Sequence, residues 1–429
     1  MTTATTATPP TDVPTYCRTL AADARAAGLS LASTSGQQRD AALYAIAAAI
    51  RADHDALQSA NALDLEAGQA NGLASSVLDR LELTDARIES MAAGVEQVAA
   101  QPDPVGESLE GRVLPNGIRL EKRRCPIGSI LIIFESRPNV TADAAALCLK
   151  SGNAVILRGG KEALHSNAAI AQCVKRRLIE AQLPGASVQL VATTDRAAVG
   201  ELLAQDTNLD LCIPRGGESL IRAVVEQARI PVIKHYTGNC HVYVHADADP
   251  DMALDICLNA KTQRTGVCNA AETVLFHQDT VTTGLAGRIL NALADANVDI
   301  RADARAAATC DRTTTATDED WATEYLDLIV AARVVDDLDQ AVHHINHYGS
   351  KHTDAIVTTS LSAADRFVTT TDTANAMINC STRFSDGQQY GLGAEIGIST
   401  DKLHARGPMG AADLTTYKWI ATGTGQLRS

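Results

Sequence analysis

Apolar residues recur along the chain with two different periods, and the change of period divides it into parts. Residues 16–100 are rich in Ala, Leu, Arg and Asp, and within 37–57 the residues Leu43, Ile46 and Ile50 fall on one helical face. Such spacing is typical of amphipathic helices that bury one face against a neighbour. The first hundred residues therefore predict a layer of packed helices.

From residue 129 onward, short apolar runs alternate about five times with helix-length segments, which is typical of a doubly wound parallel sheet. Ligands bind such sheets at the carboxyl ends of the strands. A second α/β segment begins near residue 245, where Asp249 and Pro250 suit the N-cap and first turn of a helix. The predicted strands are 129–134, 153–157, 188–191, 209–213 and 231–235, followed by 273–276, 326–335, 354–358 and 376–379.

The segment 111–121 predicts a β-hairpin, because Asn116-Gly117 is a strong turn signal between two alternating runs. We expect this hairpin to form an arm at 108–126 that reaches a neighbouring subunit. The segment 383–429 is Gly-rich and lacks apolar periodicity, so we expect it to cross the surface of a loop-dominated site or of a partner subunit. The predicted parts are a flexible tail at 1–15, one domain at 16–244, a second at 245–382, and the C-terminal segment 383–429.

Composition narrows the class of protein. The chain has 429 residues, 45% hydrophobic and 21% charged, which suits a globular protein of two or three domains. A net charge of −14 with only 3% aromatic residues argues against nucleic-acid binding. No apolar run is long enough to predict a membrane span, and the N-terminus lacks a secretory pattern. The ten cysteines form no C-x-x-C pair, so we expect reduced thiols in a cytoplasmic protein.

One cysteine stands in a setting suited to chemistry. Cys268 follows Thr265-Gly266-Val267, lies near Arg264 and precedes a short predicted strand. A thiolate is nucleophilic in electropositive, partly open surroundings, whereas most single cysteines are inert core residues. The local residues leave both interpretations open, and catalysis is the more specific hypothesis.

Several long motifs occur in a fixed order around this cysteine. In that order and spacing the chain resembles the γ-glutamyl phosphate reductases, a branch of the aldehyde dehydrogenase superfamily, over roughly residues 16–425. The resemblance implies an α/β fold with an NADPH-binding Rossmann-type domain at 16–244, a catalytic α/β domain at 245–382 and a small oligomerisation arm. The motifs are Phe134-Glu135-Ser136-Arg137-Pro138-Asn139-Val140-Thr141, residues 149–162, Ile213-Pro214-Arg215-Gly216-Gly217, and residues 234–244, 262–273 and 379–384.

The same resemblance implies an activity, the NADPH-dependent reduction of L-glutamyl 5-phosphate to L-glutamate 5-semialdehyde and phosphate. This reaction is the second step of L-proline biosynthesis from glutamate, and it would pass through a thioester and a thiohemiacetal on Cys268. The alternatives are another oxidoreductase of the superfamily that acts on a different aldehyde or acyl-CoA, a Cys-dependent acyl transferase or amidase, and a non-catalytic partner of the preceding kinase. The implied partners are a second copy of the chain and glutamate 5-kinase.

Two further residues receive catalytic roles from the resemblance. Asn139 resembles the asparagine whose amide joins the cysteine N–H in an oxyanion hole, although Asn after Pro138 also suits a turn. His235 falls where hydrolytic aldehyde dehydrogenases have a glutamate, and the missing glutamate favours an acyl-phosphate substrate over oxidation to an acid. A proton shuttle and a hydrogen-bonded histidine at a strand end are equal interpretations of His235.

The NADPH site is expected after two strands of the first domain. A Gly pair that follows a strand and opens a helix suits a pyrophosphate, and it is also an ordinary tight turn. Two cations after another strand lie where the resemblance places the adenosine ribose, so they suit a 2′-phosphate and favour NADPH over NADH, with solvated loop charges as the alternative. A glutamate resembles the superfamily residue that holds the nicotinamide ribose. A solvated glutamate at the end of a helix or strand is an equally good interpretation. The residues are Pro214, Arg215, Gly216 and Gly217 for the pyrophosphate, Arg158 and Lys161 for the 2′-phosphate, and Glu324 for the ribose.

The anionic groups of the implied substrate predict arginine partners. Arg137, Arg264 and Arg383 are candidates for forked hydrogen bonds to its carboxylate and phosphate, and surface ion pairs are the alternative. His343 and His347 share a helical face, but the glutamate of H-E-x-x-H is absent, so an exposed face is expected there. The implied mechanism requires no metal.

Overall fold

The computed structural model describes residues 12–428, which form two compact units. Each unit contains one long continuous part of the chain and one or two short segments from the region after residue 390. Unit 1 contains the described part of Met1–Lys234, Gly391–Gly397 and Met409–Ser429, and unit 2 contains His235–Tyr390 and Ile398–Pro408.

The unit boundaries differ from the predicted ones: the boundary expected at 382 falls after Tyr390, and the predicted C-terminal segment 383–429 is divided between the two units. The first unit ends at Lys234 and not at Val244, because the strand Cys240–Val244 pairs within the sheet of unit 2. The predicted tail at 1–15 lies, up to residue 11, outside the described residues. The first helix already begins at Val13, where the Asp12 side chain accepts a hydrogen bond from the backbone N–H of Thr15.

Helices and strands are numbered in chain order. The helices are α1 Val13–Leu31, α2 Gly36–Ala52, α3 His54–Ala70, α4 Ser75–Leu81, α5 Asp85–Ala100, α6 Asn139–Lys150, α7 Leu164–Glu180, α8 Ala197–Leu203, α9 Glu218–Gln227, α10 Pro250–Thr262, α11 Gln278–Thr282, α12 Leu285–Asp295, α13 Ala304–Ala307, α14 Leu338–Tyr348 and α15 Leu361–Thr370. The strands are β1 Ser108–Val113, β2 Arg119–Pro126, β3 Ser129–Phe134, β4 Ala154–Arg158, β5 Val188–Leu190, β6 Leu211–Arg215, β7 Cys240–Val244, β8 Ala271–His277, β9 Asp299–Ala302, β10 Thr314–Thr315, β11 Ile329–Val335, β12 Thr353–Val357, β13 Asn375–Ile378, β14 Ile398–Ser399, β15 Gly407–Pro408 and β16 Thr415–Thr422.

A four-stranded parallel sheet with the order β5-β4-β3-β6 forms the centre of unit 1. All residues of β3 are buried, as its continuous apolar run predicts for a strand covered on both faces. The predicted strand at 231–235 is reduced to one parallel bridge between Val232 and Cys212. Pro231 has no N–H to donate, which limits pairing at that edge. The chain runs outward from β3 in opposite directions to β4 and to β6, so a topological switch point lies between β3 and β6.

The predicted arm is a three-stranded antiparallel sheet with the order β1-β2-β16. Its hairpin turns at Gly117, whose φ of 84° lies in the left-handed region that glycine adopts without strain. The C-terminal segment supplies the third strand, with Thr415 opposite Pro126 and Thr422 opposite Arg119. Part of the segment that we expected to lie as loops over the surface is therefore a paired strand.

Unit 2 contains a seven-stranded parallel sheet with the order β10-β9-β11-β8-β7-β12-β13. Helix α10 leads into it, with Asp249 as N-cap and Pro250 in the first turn, as predicted. The core between this sheet and α10 and α12 is aliphatic. The expected α/β class with parallel sheets is confirmed in both units. Among residues 12–428, no helix is both long enough and apolar enough to cross a membrane.

Candidate functional site

Three neighbouring strands of unit 2 bring their amino ends together, and the candidate site lies there. Cys268 precedes β8, Gly238 precedes β7, and His352 precedes β12. Because β8, β7 and β12 are adjacent and parallel, the loops that lead into them meet at one edge of the sheet. Cys268 is half-buried in its loop, as a nucleophile that must reach both its partners and a substrate requires.

The backbone carbonyl of Cys268 is held from two directions. The thiol of Cys240 donates to it with the sulfur 3.1 Å from the oxygen. Gly238 packs so closely that an added Cβ would lie 1.9 Å from the same oxygen and 2.5 Å from the Cα of Cys268. The N–H of Gly238 donates in turn to Oε1 of Glu324 at 2.9 Å. Glu324 therefore fixes the segment before β7 that supports the Cys268 loop.

Two histidines flank the thiol. One ligand-type atom from each of His235, Cys268 and His352 lies within 4.8 Å of the others. Nδ1 of His235 lies 2.8 Å from the carbonyl oxygen of Ile398, and because a carbonyl only accepts, this nitrogen carries the proton of the neutral ring. His352 is fully buried, and its ring meets that of His235 edge-on with centroids 5.6 Å apart.

Two of the three candidate arginines share these surroundings. Nε of Arg383 donates to the side chain of Gln263 at 2.8 Å. Burial lowers the pKa of Arg383 first, and the positive charge of Arg264 lowers it further, so the two guanidinium groups are close enough to repel each other. Asp386 and a negative charge on Cys268 act on the same pKa in the opposite direction. Arg264, Arg383 and Cys268 are thus brought together in unit 2.

A buried acid–base pair lies behind the loop. Nζ of Lys261 donates to Oε2 of Glu272 at 2.6 Å, and both side chains are fully buried. Burial raises the pKa of Glu272 to about 7, against the opposing effect of Lys261. Helix α10 and strand β8, which bracket the Cys268 loop, are tied together by this pair.

Asn139 opens helix α6 of unit 1 and is exposed. Its amide nitrogen donates to Oδ2 of Asp143 at 2.9 Å. Burial raises the pKa of Asp143 to about 6, and the hydrogen bond from Asn139 works against that rise. Asp143 therefore sets the orientation of the Asn139 amide, with one amide N–H committed to the carboxylate.

The predicted pyrophosphate site lies at the switch point of the unit 1 sheet. Pro214 and Arg215 end β6, and Gly216 and Gly217 lead into α9, as the sequence predicts. The N–H of Gly217 donates to Oε2 of Glu135, 3.1 Å away at the end of β3.

Gly216 and Gly217 differ in the room around them. An added Cβ at Gly216 would come within 2.6 Å of the Glu135 carboxyl carbon, whereas one at Gly217 would meet nothing within 4 Å. The helix start is thus an open anion-binding position whose anion in this structure is the carboxylate of Glu135.

The two predicted 2′-phosphate cations follow β4. Arg158 donates to the carbonyl oxygens of Gly159 at 2.8 Å and Thr194 at 3.3 Å, and burial lowers its pKa. Lys161 is exposed, with Glu162 beside it. Arg137, the third substrate-binding candidate, is exposed in the loop after β3.

Four contributors were missed in the sequence. His352 lies outside the motifs, and Cys240 lies within the motif 234–244 but received no role, because both depend on the pairing of β12 and β7 with a distant part of the chain. Glu135 lies within the motif 134–141, and Asp143 lies just after it. The position of Asp143 relative to Asn139, and that of Glu135 relative to the Gly pair, could have indicated their roles. A carboxylate four residues after Asn139 on one helix is within reach of its amide.

Comparison with known proteins gives the chain close relatives. The family model described as "Aldehyde dehydrogenase family" matches residues 2–314. A curated protein of Geotalea daltonii, "Gamma-glutamyl phosphate reductase", is 53% identical over 411 residues, which cover 96% of this chain and 98% of that protein. The crystal structure of gamma-glutamyl phosphate reductase from Thermotoga maritima matches with a TM-score of 0.94 and 41% identity, covering 96% of this chain and 100% of that one. The enzyme of the same name from Saccharomyces cerevisiae matches with a TM-score of 0.53 and 33% identity, covering 96% and 98%.

Proposed function

We propose a function from one premise, that the chain belongs to the γ-glutamyl phosphate reductase branch of the aldehyde dehydrogenase family. It reduces L-glutamyl 5-phosphate to L-glutamate 5-semialdehyde with release of phosphate, and takes its reducing power from NADPH. The observation that carries the proposal is the half-buried Cys268, supported through its carbonyl by Gly238 and Cys240, in a chain 53% identical to the G. daltonii reductase.

Cys268 is the nucleophile. Its sulfur attacks the γ-carbonyl carbon of the acyl phosphate, the C–O bond to phosphate breaks, and a thioester remains on the protein. His235 is placed to take up the thiol proton, because its Nδ1–H is bonded to the Ile398 carbonyl and Nε2 is left with the lone pair. The substrate carboxylate and phosphate are paired by Arg264 and Arg383, with Arg137 as the third candidate.

The developing oxyanion needs fixed donors, and each is worth about 3 kcal/mol in such sites. The predicted donors are the backbone N–H of Cys268 and the amide of Asn139. Asp143 holds the Asn139 amide in one orientation by accepting one of its two N–H groups. The second N–H is then the donor offered to the oxyanion.

A nicotinamide cofactor fits the described residues of unit 1. The Gly217 N–H, which now donates to Glu135, the missing side chain of Gly216 and the switch point itself suit a pyrophosphate, with Pro214 and Arg215 shaping the turn. Arg158 and Lys161 would hold a 2′-phosphate. Glu324, which belongs to unit 2 and accepts from Gly238 there, is the predicted partner of a ribose hydroxyl. When bound, the reduced nicotinamide supplies the hydride that the thioester carbon accepts.

The first experiment runs the reaction backwards with purified protein, glutamate semialdehyde, NADP and phosphate. We expect NADP reduction that depends strictly on phosphate, because phosphate must release the acyl group from Cys268. Reduction that requires coenzyme A, or that proceeds with water alone, would assign the chain to another reaction of the superfamily. Cys268→Ser should abolish turnover while NADPH still raises the unfolding temperature; full activity in that variant would remove Cys268 as the nucleophile.

The wider setting is part of the same proposal. The chain acts in the cytoplasm and assembles with itself through the β1-β2-β16 sheet, on which Tyr417 and Trp419 are about half exposed. Exposed aromatic side chains on a sheet are suited to a subunit contact. A complex with glutamate 5-kinase would keep the labile acyl phosphate from water.

A further inference from the structure

We infer that unit 2 carries a reversible binding site for a divalent transition metal such as Zn²⁺, formed by His235, Cys268 and His352. One ligand-type atom from each of the three lies within 4.8 Å of the others. Two imidazoles and a thiolate suit Zn²⁺ and similar borderline metals, whereas Mg²⁺ and Ca²⁺ take oxygen ligands. The site is separate from His343 and His347, which are exposed on α14.

The spacing of the three atoms is close to that of a formed site. Zn–N bonds of about 2.0–2.1 Å and a Zn–S bond of about 2.3 Å place tetrahedral ligand atoms roughly 3.3–3.7 Å apart. The atoms here lie within 4.8 Å of one another, so they need to approach by about 1 Å when a metal binds. Three protein ligands leave the fourth position for water.

The orientation of both histidines supports ligation. Metal-binding histidines commonly donate their second ring N–H to a backbone carbonyl or similar acceptor, which fixes the ring. His235 does this through Nδ1 to the Ile398 oxygen at 2.8 Å. Nδ1 of His352 lies 2.9 Å from Oγ1 of Thr353 and 3.7 Å from Sγ of Cys240, so Nε2 is the nitrogen that we assign as ligand.

The charges nearby set the strength of binding. Arg264 and Arg383 face the same region, and their positive charges oppose a second cation. Carboxylates also lie nearby, since Asp386 acts on Arg383 against the effect of Arg264 and Glu324 accepts from Gly238 beside the Cys268 carbonyl, but neither belongs to the group of three ligand atoms. We therefore expect a site that fills and empties with metal concentration, unlike a closed structural site.

Binding has a defined proton balance. The Cys268 thiol releases its proton to solvent as the Zn–S bond forms, while both histidines ligate as neutral rings. If Cys268 is the nucleophile of the proposed reaction, on which this one consequence rests, the metal blocks the attack on substrate and inhibits the enzyme. Metal binding itself does not depend on that function.

The test uses the full-length protein and Co²⁺, whose thiolate complexes absorb light through sulfur-to-metal charge transfer. We expect one equivalent of Co²⁺ to give this band and Zn²⁺ to displace it. Cys268→Ser should remove the band. His235→Asn and His352→Asn should each weaken binding by about tenfold or more, since Asn can keep the Nδ1-side hydrogen bond but has no Nε2.

The matched controls are His343→Gln with His347→Gln, and Cys380→Ser, because these are exposed imidazoles and a partly exposed thiol outside the proposed site. All should keep the band. Loss of the band in a control, its persistence in Cys268→Ser, or no band in the unaltered protein would overturn the inference.

A second measurement needs no variant. Zn²⁺ should protect Cys268 from iodoacetamide in the unaltered protein, as mapped by mass spectrometry, and should leave the labelling of the partly exposed Cys125 and Cys380 unchanged. Equal labelling of Cys268 with and without Zn²⁺ would contradict the site. Neither readout uses substrate, so a metal site without reductase activity would refute the proposed function alone, and reductase activity without a metal site would refute this inference alone.

Discussion

Gly238→Ala tests whether the Cys268 loop is held through its carbonyl oxygen. The new Cβ would lie 1.9 Å from that oxygen, more than an ångström inside the 3.0 Å that real Cβ contacts respect, and 2.5 Å from the Cα. Both neighbours are backbone atoms, so a flexible side chain cannot absorb the clash. Either the segment before β7 or the Cys268 loop must move by about 1 Å, and a shift of that size costs a catalytic site on the order of 100-fold in kcat/KM.

The matched control for this variant is Gly266→Ala. Gly266 lies two residues before Cys268, and an added Cβ there would meet nothing within 4 Å. We expect Gly266→Ala to keep near-normal turnover, and Gly238→Ala to lose it while unfolding about 1–3 kcal/mol more easily from overpacking. Phosphate-dependent NADP reduction, corrected for the folded fraction from denaturant titration, measures both. Equal kcat/KM in the two variants would refute the idea that this carbonyl contact positions the nucleophile.

Two other contacts yield predictions of their own. Burial raises the pKa of Asp143 from 3.8 to about 6, so the folded protein holds an extra proton between those values and loses stability as pH rises through them. Asp143→Asn should therefore flatten the pH dependence of the unfolding free energy between about pH 4 and 6, and an unchanged slope would contradict the raised pKa. Because the carboxylate of Glu135 accepts from Gly217, we expect Glu135→Gln to bind NADPH more tightly in a fluorescence titration, with Glu226→Gln as control. Weaker binding in Glu135→Gln would instead make Glu135 a cofactor ligand.

Local pattern predicted much of the fold. The apolar run of β3 is a strand with every residue buried, and Asp249-Pro250 starts a helix as its capping chemistry requires. These features depend on neighbours in sequence, so one stretch of chain contains the information. The strand β16 was missed because it is specified by pairing with β2, almost three hundred residues earlier, and a mainly polar strand has little pattern of its own.

The residues of the candidate site likewise fall into two groups, those that the local sequence indicates and those that only the folded sheet brings together. Cys268 was selected as a candidate from its own loop, which left a core role open, and the Gly pair from the strand and helix around it. Nothing local marks His352 as a neighbour of Cys268, because only the order of β8, β7 and β12 brings the starts of β8 and β12 to the same edge of the sheet. The hydrogen bond from Gly217, at the start of α9, to Glu135 could not be predicted from local sequence either. It depends on β3 and β6 being adjacent in the sheet.

The segment before β7 shows why a histidine suits this position. His235, Gly238 and Cys240 lie within six residues, and all three act on Cys268: one beside its sulfur and two at its carbonyl. A carboxylate in place of His235 would activate water and hydrolyse a thioester, which wastes an acyl phosphate. An imidazole held by the Ile398 carbonyl can accept the thiol proton and then rest as a neutral or singly charged ring. The same lone pair that makes it a proton acceptor makes it a metal ligand, so sensitivity to Zn²⁺ follows from placing a histidine next to the thiol.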